Sequence, residues 1–175
     1  MQEVPNSQRA KNSSFLVRPI EPRDDAAVRH IIETVMPQFG AGGAGFAIHD
    51  AEVKAMFNAY QIPRACYFVV EQNGIVTGGA GIAALAGAGV ASGVCELRKM
   101  YFLPELRGMG AGSALMQTCL DAARRYNFSE VYLETLTGMD AAVKLYERTG
   151  FKRLDAPMGA TGHFGCNRFY CLVLS

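Results

Sequence analysis

Three glycines stand close together after a basic residue: Arg107 is followed by glycine at positions 108, 110 and 112. A strand-like apolar pattern precedes them and helical periodicity follows, so they fall where a strand turns into a helix. Because glycines have no side chains, successive main-chain N–H groups and the positive end of the helix dipole are free to bind a diphosphate. The positive charge of Arg107 can contact the same anion. The same glycines would also suit a tight loop passing under a helix, so their spacing leaves both interpretations open.

Two common phosphate-binding patterns fit this segment poorly. A P-loop needs Gly-Lys-Ser/Thr, and the segment has no lysine at that position. The pattern G-x-G-x-x-G would need its third glycine at Leu115 if it began at Gly110, or at Ser113 if it began at Gly108. Glu134 ends the next predicted strand, where a ribose-binding acid would lie, so a dinucleotide-binding protein stays as an alternative. The first half of the chain, however, lacks the repeated β-α-β units of that class.

Periodicity around the glycine segment predicts a single α/β domain over residues 15–175, with a flexible polar tail at 1–14. Hairpins in the first half and one β-α-β crossover after them predict a mixed, mostly antiparallel central sheet with helices on both faces. The predicted strands are 15–20, 66–71, 75–85, 94–103, 131–136, 151–154 and 168–174. The predicted helices are 24–35, 50–60, 110–126 and 140–149.

Composition excludes several classes of protein. The 175 residues include 17 Lys+Arg and 16 Asp+Glu, a net charge of +1 that argues against a nucleic-acid or membrane-surface partner. No apolar stretch predicts a membrane span or a signal peptide. Five cysteines without a C-x-x-C pair favour a reducing, cytoplasmic location over a disulfide framework. The three histidines have no partner at ligand spacing, so no metal is expected.

Two motifs resemble those of the GNAT superfamily of acyl-CoA N-acyltransferases. The segment Glu96-Leu-Arg-Lys-Met-Tyr101, a proline, and then Arg107-x-x-Gly110-x-Gly112 is similar to its acetyl-CoA-binding motif. The segment Ala142-x-x-Leu-Tyr146-x-x-x-Gly-Phe151 is similar to a second signature of the family. The order of strands and helices agrees as well, so the resemblance covers about residues 15–174 and implies an N-acetyltransferase domain over 15–175.

The resemblance implies acetyl-CoA as cosubstrate, no metal, and a binding site built mainly from main chain. Met100, Tyr101 and Phe102 would pair with the pantetheine amides as an added strand does, with the Met100 N–H facing the thioester oxygen. The diphosphate would be held by Arg107, Gly108, Met109, Gly110, Ala111, Gly112 and Ser113.

Tyr146 and Glu96 are the candidate catalytic residues. By resemblance the Tyr146 hydroxyl lies near the leaving thiolate as general acid; the alternative is a core tyrosine packed on Phe151. Glu96 precedes Gly112 by sixteen residues, as the catalytic glutamate does in the histone acetyltransferase branch. Strict strand alternation would put Glu96 on the face of Arg98 and Met100, roughly 13 Å from Met100, so a general base here would act through water. The alternative is that Glu96 only pairs with Arg98.

The acceptor is an amine on a small molecule or on a protein or peptide; the balanced charge disfavours aminoacyl-tRNA. Phe39 and His163 are candidate acceptor-lining residues, and His163 is also a weaker candidate for the base. The family often has Asn where Met139 stands, so a contact to the pantetheine arm is missing or replaced. The segment 157–166 resembles one bacterial branch of the family, whose acceptors the sequence does not assign.

A second function from another class stays open: a module that binds or senses acyl-CoA without turnover. Met139 keeps that alternative open, whereas Glu96 and Tyr146 argue for an enzyme. By analogy with proteins of this kind, a homodimer is also expected.

Overall fold

A computed structural model describes residues 14–175, apart from the side chain of Val90. The predicted tail at 1–14 therefore lies, except for Ser14, outside the described residues. Seven strands form one sheet: β1 Phe15–Pro19, β2 Cys66–Gln72, β3 Ile75–Ala84, β4 Val94–Phe102, β5 Glu130–Thr135, β6 Lys152–Leu154 and β7 Arg168–Val173. The α-helices are α1 Asp25–Gln38, α2 Met56–Ala59, α3 Ala111–Arg125 and α4 Asp140–Thr149.

The sheet is mixed and mostly antiparallel, in the order β1-β2-β3-β4-β5-β7-β6. Its parallel neighbours are β4 and β5, joined by the crossover through α3. They pair at Val94–Glu130, Cys95–Val131 and Glu96–Tyr132, and the ladder stops there. Beyond Glu96 the two strands part, and the rest of β4 has no ladder partner on that side.

A β-bulge interrupts β4 at the place where the strands part. Gly79 pairs with Tyr101 and Gly81 with Arg98, so two residues of β4 face one of β3. Lys99 has a φ of 49°, in the left-handed region that side-chain-bearing residues avoid, and its carbonyl accepts a hydrogen bond of 2.9 Å from the Tyr67 hydroxyl.

Because of the bulge, the side chains of β4 do not keep the alternation expected from the sequence. Cys95 and Leu97 pack in the core on the α3 side of the sheet, and Met100 packs against that same core, whereas Tyr101 packs on the α1 side. Strict alternation had put Met100 on the face of Glu96 and Arg98. The extra residue at the bulge shifts Met100 to the other face, since side-chain direction in a strand has period two.

Helices cover both faces, as predicted. Residues of α1 and α2 pack on one face in a cluster that includes Ile32, Met56 and Val69. Residues of α3 and α4 pack on the other face with Leu115 and Tyr146. The parting strands therefore lie between two helical layers, and α3 and α4 flank the gap on one side of the sheet.

The predicted helix at 50–60 is broken. Two short 3₁₀ segments, Ala47–His49 and Ala51–Lys54, precede the single turn of α2. Asp50 has extended backbone angles (φ −61°, ψ 135°) that stop the helix. Its carboxylate accepts hydrogen bonds from Lys99 and His163, and helical periodicity in the sequence does not predict such contacts. Within residues 14–175, no helix is long and apolar enough to cross a bilayer.

Candidate functional site

A large cavity of about 540 Å³ opens where β4 and β5 part. Its walls come from the end of β4, the loop before α3, the first turn of α3 and the length of α4. The residues that line it include Phe39, Met100, Tyr101, Phe102, Arg107, Gly108, Gly110, Gly112, Ser113, Met139, Tyr146 and Arg148.

One end of the large cavity presents unpaired main-chain donors. Within the described chain, the N–H groups of residues 108–113 donate to no main-chain oxygen. Gly110, directly before α3, has a φ of 83° that disfavours any residue with a Cβ, and this conformation turns the chain into the helix. Gly112 serves another purpose: a Cβ there would lie 3.3 Å from Leu145 of α4. The first turn of α3 thus exposes donors and positive dipole to the cavity, an arrangement that suits an anion.

Two arginines flank these donors. The Arg107 guanidinium donates to the Phe102 carbonyl at 3.0 and 3.2 Å and lies 5.8 Å from the centre of the Phe39 ring. Arg148, on α4, donates to the Ser113 hydroxyl at 3.4 Å. Arg148 was not predicted from the sequence, because its position one residue before Thr149 at the end of α4 carries no motif. Both cations border the cavity at the donor-rich end.

A small cavity of about 50 Å³ adjoins the large one. Met100, Tyr101, Met139 and Tyr146 line both. The further residues of the small cavity include Phe46, Glu96, Arg98, Lys99, Glu134, His163 and Cys166. The two cavities therefore meet at the bulged part of β4 and at Tyr146.

Glu96 is a buried carboxylate at the small cavity, 4% exposed. Its Oε2 lies 2.8 Å from Nε of Arg98. Burial raises the pKa of the Glu96 carboxyl, and the charge and hydrogen bond of Arg98 only partly offset that rise. A carboxylate whose pKa is raised toward neutrality is a better proton acceptor than an ordinary surface glutamate.

His163 links two further acids at the same cavity. Its Nε2 lies 3.0 Å from Asp50 Oδ2, and its Nδ1 lies 3.6 Å from Glu134 Oε2. Hydrogen bonds to Asp50, the larger effect, and to Glu134 raise the pKa of His163 to about 9, so the ring is an imidazolium at neutral pH. A ring that already holds the proton is a poor general base, which weakens that role for His163.

The two acids beside His163 are held as carboxylates. Burial alone would raise the pKa of Glu134, but hydrogen bonds from His163, Tyr132 and Thr161 outweigh it and lower that pKa. The same balance lowers the pKa of Asp50, with His163 and Lys99 opposing its burial. Lys99, whose side chain is 1% exposed, contacts both Asp50 and Glu52.

These polar groups do not suit a metal ion. Ligand atoms of Glu96, Glu134 and His163 lie within 4.8 Å of one another. Arg98 already donates to Glu96, however, Thr161 donates to Glu134 at 2.9 Å, and both nitrogens of His163 face acids. A cation would have to displace these contacts and the imidazolium proton. Burial also raises the pKa of the nearby Cys166 thiol to about 12, so it is not a thiolate at neutral pH.

Tyr146 stands at the junction of the cavities, 5% exposed. Its ring packs at 6.0 Å from Phe151 and 6.2 Å from Tyr170, so the predicted core contact with Phe151 is present. Burial raises the pKa of its hydroxyl, which therefore keeps its proton at neutral pH. The core contact and the position beside both cavities are compatible, because one side of the Tyr146 ring packs in the core and the other side lines the cavities.

The structure brings most of the predicted site residues together. The main chain of β4, the glycine segment, Tyr146, Glu96 and His163 all border the two joined cavities. Phe39 lines the large cavity, away from the acids, whereas Phe46 lines the small one. Ala111 is buried in the core, and the Met109 sulfur accepts a 3.9 Å hydrogen bond from Gln72; both lie beside the cavity rather than in its wall.

Asp50 and the role of Glu134 beside His163 were missed. Asp50 and His163 are 113 positions apart, and no local pattern joins them. Glu134 offered a signal, since the sequence places an acid at the end of the predicted strand after α3, although there it is considered only as a ribose-binding residue.

Comparison with known proteins agrees with this architecture. The Acetyltransferase (GNAT) family matches residues 28–151, most of the chain. The chain therefore belongs to the GNAT family of N-acetyltransferases. That membership, together with one parallel strand pair in the sheet of residues 14–175, removes the dinucleotide-binding alternative.

Relatives and solved structures are similar over nearly the whole chain. The uncharacterized N-acetyltransferase YjgM of Escherichia coli K12 is 37% identical over 154 residues, covering 87% of this chain and 91% of that protein. A GNAT-family acetyltransferase from Staphylococcus aureus Mu50 superposes with a TM-score of 0.78 at 18% identity, covering 93% of this chain and all of that one. The putative acetyltransferase yncA from Salmonella typhimurium, solved with acetyl-CoA, has a TM-score of 0.74 at 21% identity and covers 92% of this chain and 94% of that one.

Proposed function

We propose that this protein transfers an acetyl group from acetyl-CoA to a primary amine by direct attack, without an acyl-enzyme. One observation carries the proposal: two cavities meet at Met100 and Tyr146, one ending at unpaired main-chain donors and the other at the buried carboxylate of Glu96. The first suits a diphosphate and the second suits an amine that must lose a proton. An N-acetyltransferase needs a coenzyme cavity and an acceptor cavity that meet at the reacting carbon.

The large cavity fits acetyl-CoA on three grounds: its volume, its free donors at residues 108–113, and its two bordering arginines. The N–H groups of the α3 first turn would bind the diphosphate, with Arg107 and Arg148 adding charge. The edge of β4 beyond Glu96 would pair with the pantetheine amides. Acetyl-CoA supplies the activated acetyl group and accepts the electron pair of the broken C–S bond as a thiolate.

Met100 is the proposed donor to the thioester oxygen. It directly follows the bulged Lys99, and it lines both cavities. A donor held rigidly beside the reacting carbonyl stabilises the negative charge that develops there.

Glu96 is the proposed general base, acting through water. An acceptor amine with an ordinary pKa near ~10 arrives as an ammonium and must be deprotonated before it attacks. The raised pKa of Glu96 suits that task. Arg98 keeps the carboxylate in place at 2.8 Å.

Tyr146 is the proposed general acid. Its hydroxyl holds its proton at neutral pH and makes no hydrogen bond to another described residue that would compete. Donation of that proton to the departing thiolate lowers the cost of breaking the C–S bond.

The acceptor enters the small cavity, beside His163 and Phe46. A volume of about 50 Å³ admits a slender group, such as the end of a small amine or of a lysine side chain, and excludes a bulky one.

Two measurements test the proposal. Calorimetry should show acetyl-CoA binding and no binding of NAD. Release of free thiol from acetyl-CoA should then depend on a member of a panel of primary amines, and mass spectrometry should find that amine acetylated. Binding without amine-dependent thiol release across the panel would favour the acyl-CoA sensor instead.

A further inference from the structure

Two loops close over the small cavity and contact each other there. The early loop is residues 40–50, and the late loop is residues 157–166. Gly165 N–H donates to the Gly45 carbonyl at 3.0 Å, and His163 Nε2 lies 3.0 Å from Asp50 Oδ2. The contact joins segments that are more than a hundred residues apart in the chain.

The two loops also exchange aromatic rings. Phe164 of the late loop lies on Gly45 of the early loop, where a Cβ would come within 2.5 Å of the ring. Phe46 of the early loop lies on Gly165 of the late loop, where a Cβ would come within 2.6 Å. Each glycine thus makes room for the other loop's ring. Phe164 is 81% exposed, so most of its ring faces solvent outside this contact.

The late loop is fixed to the rest of the fold. Thr161 donates to Glu134, Met158 N–H donates to the Tyr132 hydroxyl at 3.1 Å, and Ala160 N–H donates to the Ala86 carbonyl at 2.7 Å. These contacts run along β5 and the turn after β3. The late loop therefore serves as the fixed side of the closure.

The early loop is held less firmly. Its glycines at 40, 42 and 43 are exposed, and a Cβ at position 40 or 43 would meet no atom within 4 Å. Its own contact of His49 with the Gly42 carbonyl, 2.9 Å, stays inside the loop. Ala41 and Ala47 are buried and anchor this loop in the core. Between them the chain has exposed residues and several glycines, so this stretch opens at lower free energy than the core.

We propose that the early loop is a gate for the acceptor, latched shut over the small cavity by the His163–Asp50 ion pair and by Phe164 on Gly45. The acceptor enters when the latch opens, and reclosure keeps bulk water away from the reacting carbon, apart from the water that relays the proton to Glu96. His163 is then a positioning residue: it acts through Asp50 and the early loop. Lys99 also contacts Asp50, so that carboxylate keeps one cationic partner when its contact with His163 breaks.

Exclusion of water has a chemical consequence, which rests on the proposed function. With the gate loosened, water can attack the thioester carbon in place of an amine. The C–S bond then breaks, and the products are acetate and the CoA thiol. Amine-independent thiol release therefore reports gate opening without knowledge of the acceptor.

Hydrogen exchange tests the gate directly, because it does not depend on catalysis. His163→Gln and Phe164→Ala should each speed exchange of amides in residues 40–50 by about fivefold, with α3 and β5 unchanged. His30→Gln, at an exposed position of α1, is the matched control and should leave the early loop as in the wild type. Unchanged exchange at 40–50 in both latch variants would overturn the gate.

Thiol release supplies the second arm. In the absence of amine, both latch variants should release thiol from acetyl-CoA severalfold faster than the wild type and His30→Gln. Faster loop exchange with unchanged background release would contradict the water-excluding role. If no variant or wild type turns over acetyl-CoA with any amine, the proposed function fails while the exchange result still decides the latch.

Discussion

The Tyr67 hydroxyl donates a 2.9 Å hydrogen bond to the carbonyl of Lys99, the residue of β4 with a positive φ. Both residues are buried. This contact holds the bulge that shifts Met100 to the α3 side of the sheet. A tyrosine on β2 thus determines the conformation of main chain that the proposed reaction uses.

Tyr67→Phe should lower the free energy of unfolding by about 1–2 kcal/mol, because it leaves the buried Lys99 carbonyl without this donor. Urea denaturation measures the change. Tyr60→Phe is the matched control: the Tyr60 hydroxyl is buried and has no hydrogen-bond partner among residues 14–175, so its removal should leave stability unchanged or raise it. Equal losses in the two variants would mean that the Tyr67 hydrogen bond adds nothing specific.

Tyr146→Phe should leave acetyl-CoA affinity intact and lower turnover at least tenfold, about 1.4 kcal/mol in the barrier, because a hydroxyl that donates to the leaving thiolate acts only in the transition state. Thiol-release kinetics and calorimetry measure the two quantities. Tyr170→Phe is the control: it removes the hydroxyl from the ring packed on Tyr146, and this variant should turn over as fast as the wild type. A Tyr146→Phe enzyme as fast as the wild type would exclude the general-acid role.

Glu96→Gln should lower turnover by about a hundredfold, the usual contribution of a positioned base. In the wild type, turnover should rise with pH through a pKa above the ordinary glutamate value near ~4.3, since burial raises the pKa of Glu96. The variant should lose that acidic limb. Glu105→Gln, at an exposed residue before the glycine segment, should keep it. Persistence of the limb in Glu96→Gln would assign the titration to another group.

Gly110→Ala should weaken acetyl-CoA binding about fivefold, because a Cβ at φ 83° costs about 1 kcal/mol and disturbs the exposed donors. Calorimetry gives the dissociation constant. Gly43→Ala, at a position with open space and no positive φ, should bind as the wild type does. Unaltered affinity in Gly110→Ala would separate the diphosphate from the first turn of α3.

The His163–Asp50 ion pair should make stability depend on pH. The folded pKa of His163, about 9, lies above the unfolded value near ~6.5, so its contribution is complete below pH 6.5 and is lost as pH rises through 9. The folded pKa of Asp50 is lowered, so its contribution is lost as pH falls below its unfolded value near ~3.9. Urea unfolding of the wild type and His163→Gln should therefore differ most between about pH 4 and 6.5 and converge at alkaline pH. A difference that grows above pH 8 would contradict the pairing.

The sequence predicts the order of elements well, because periodicity and turn residues are local. Gly150 after α4 and the Asn73-Gly74 turn between β2 and β3 stand where they were expected. The glycine segment opens α3 as predicted, because its conformation depends on residues next to one another.

Contacts between distant residues account for what the sequence could not predict. The bulge at Lys99 depends on the Tyr67 hydroxyl, 32 positions away, and it reverses the predicted face of Met100. The break before α2 depends on Asp50 reaching Lys99 and His163. Alternation and helical spacing describe one element at a time, so neither shows which acids a folded chain gathers around a histidine.

The short ladder between β4 and β5 makes this sheet two unequal panels joined at a seam of three residue pairs. A molecule that binds β4 and β5 together beyond Glu96 would stabilise the folded state. The melting temperature should therefore climb with the concentration of any such molecule, so heat resistance can rank coenzyme analogues before a single acceptor is known.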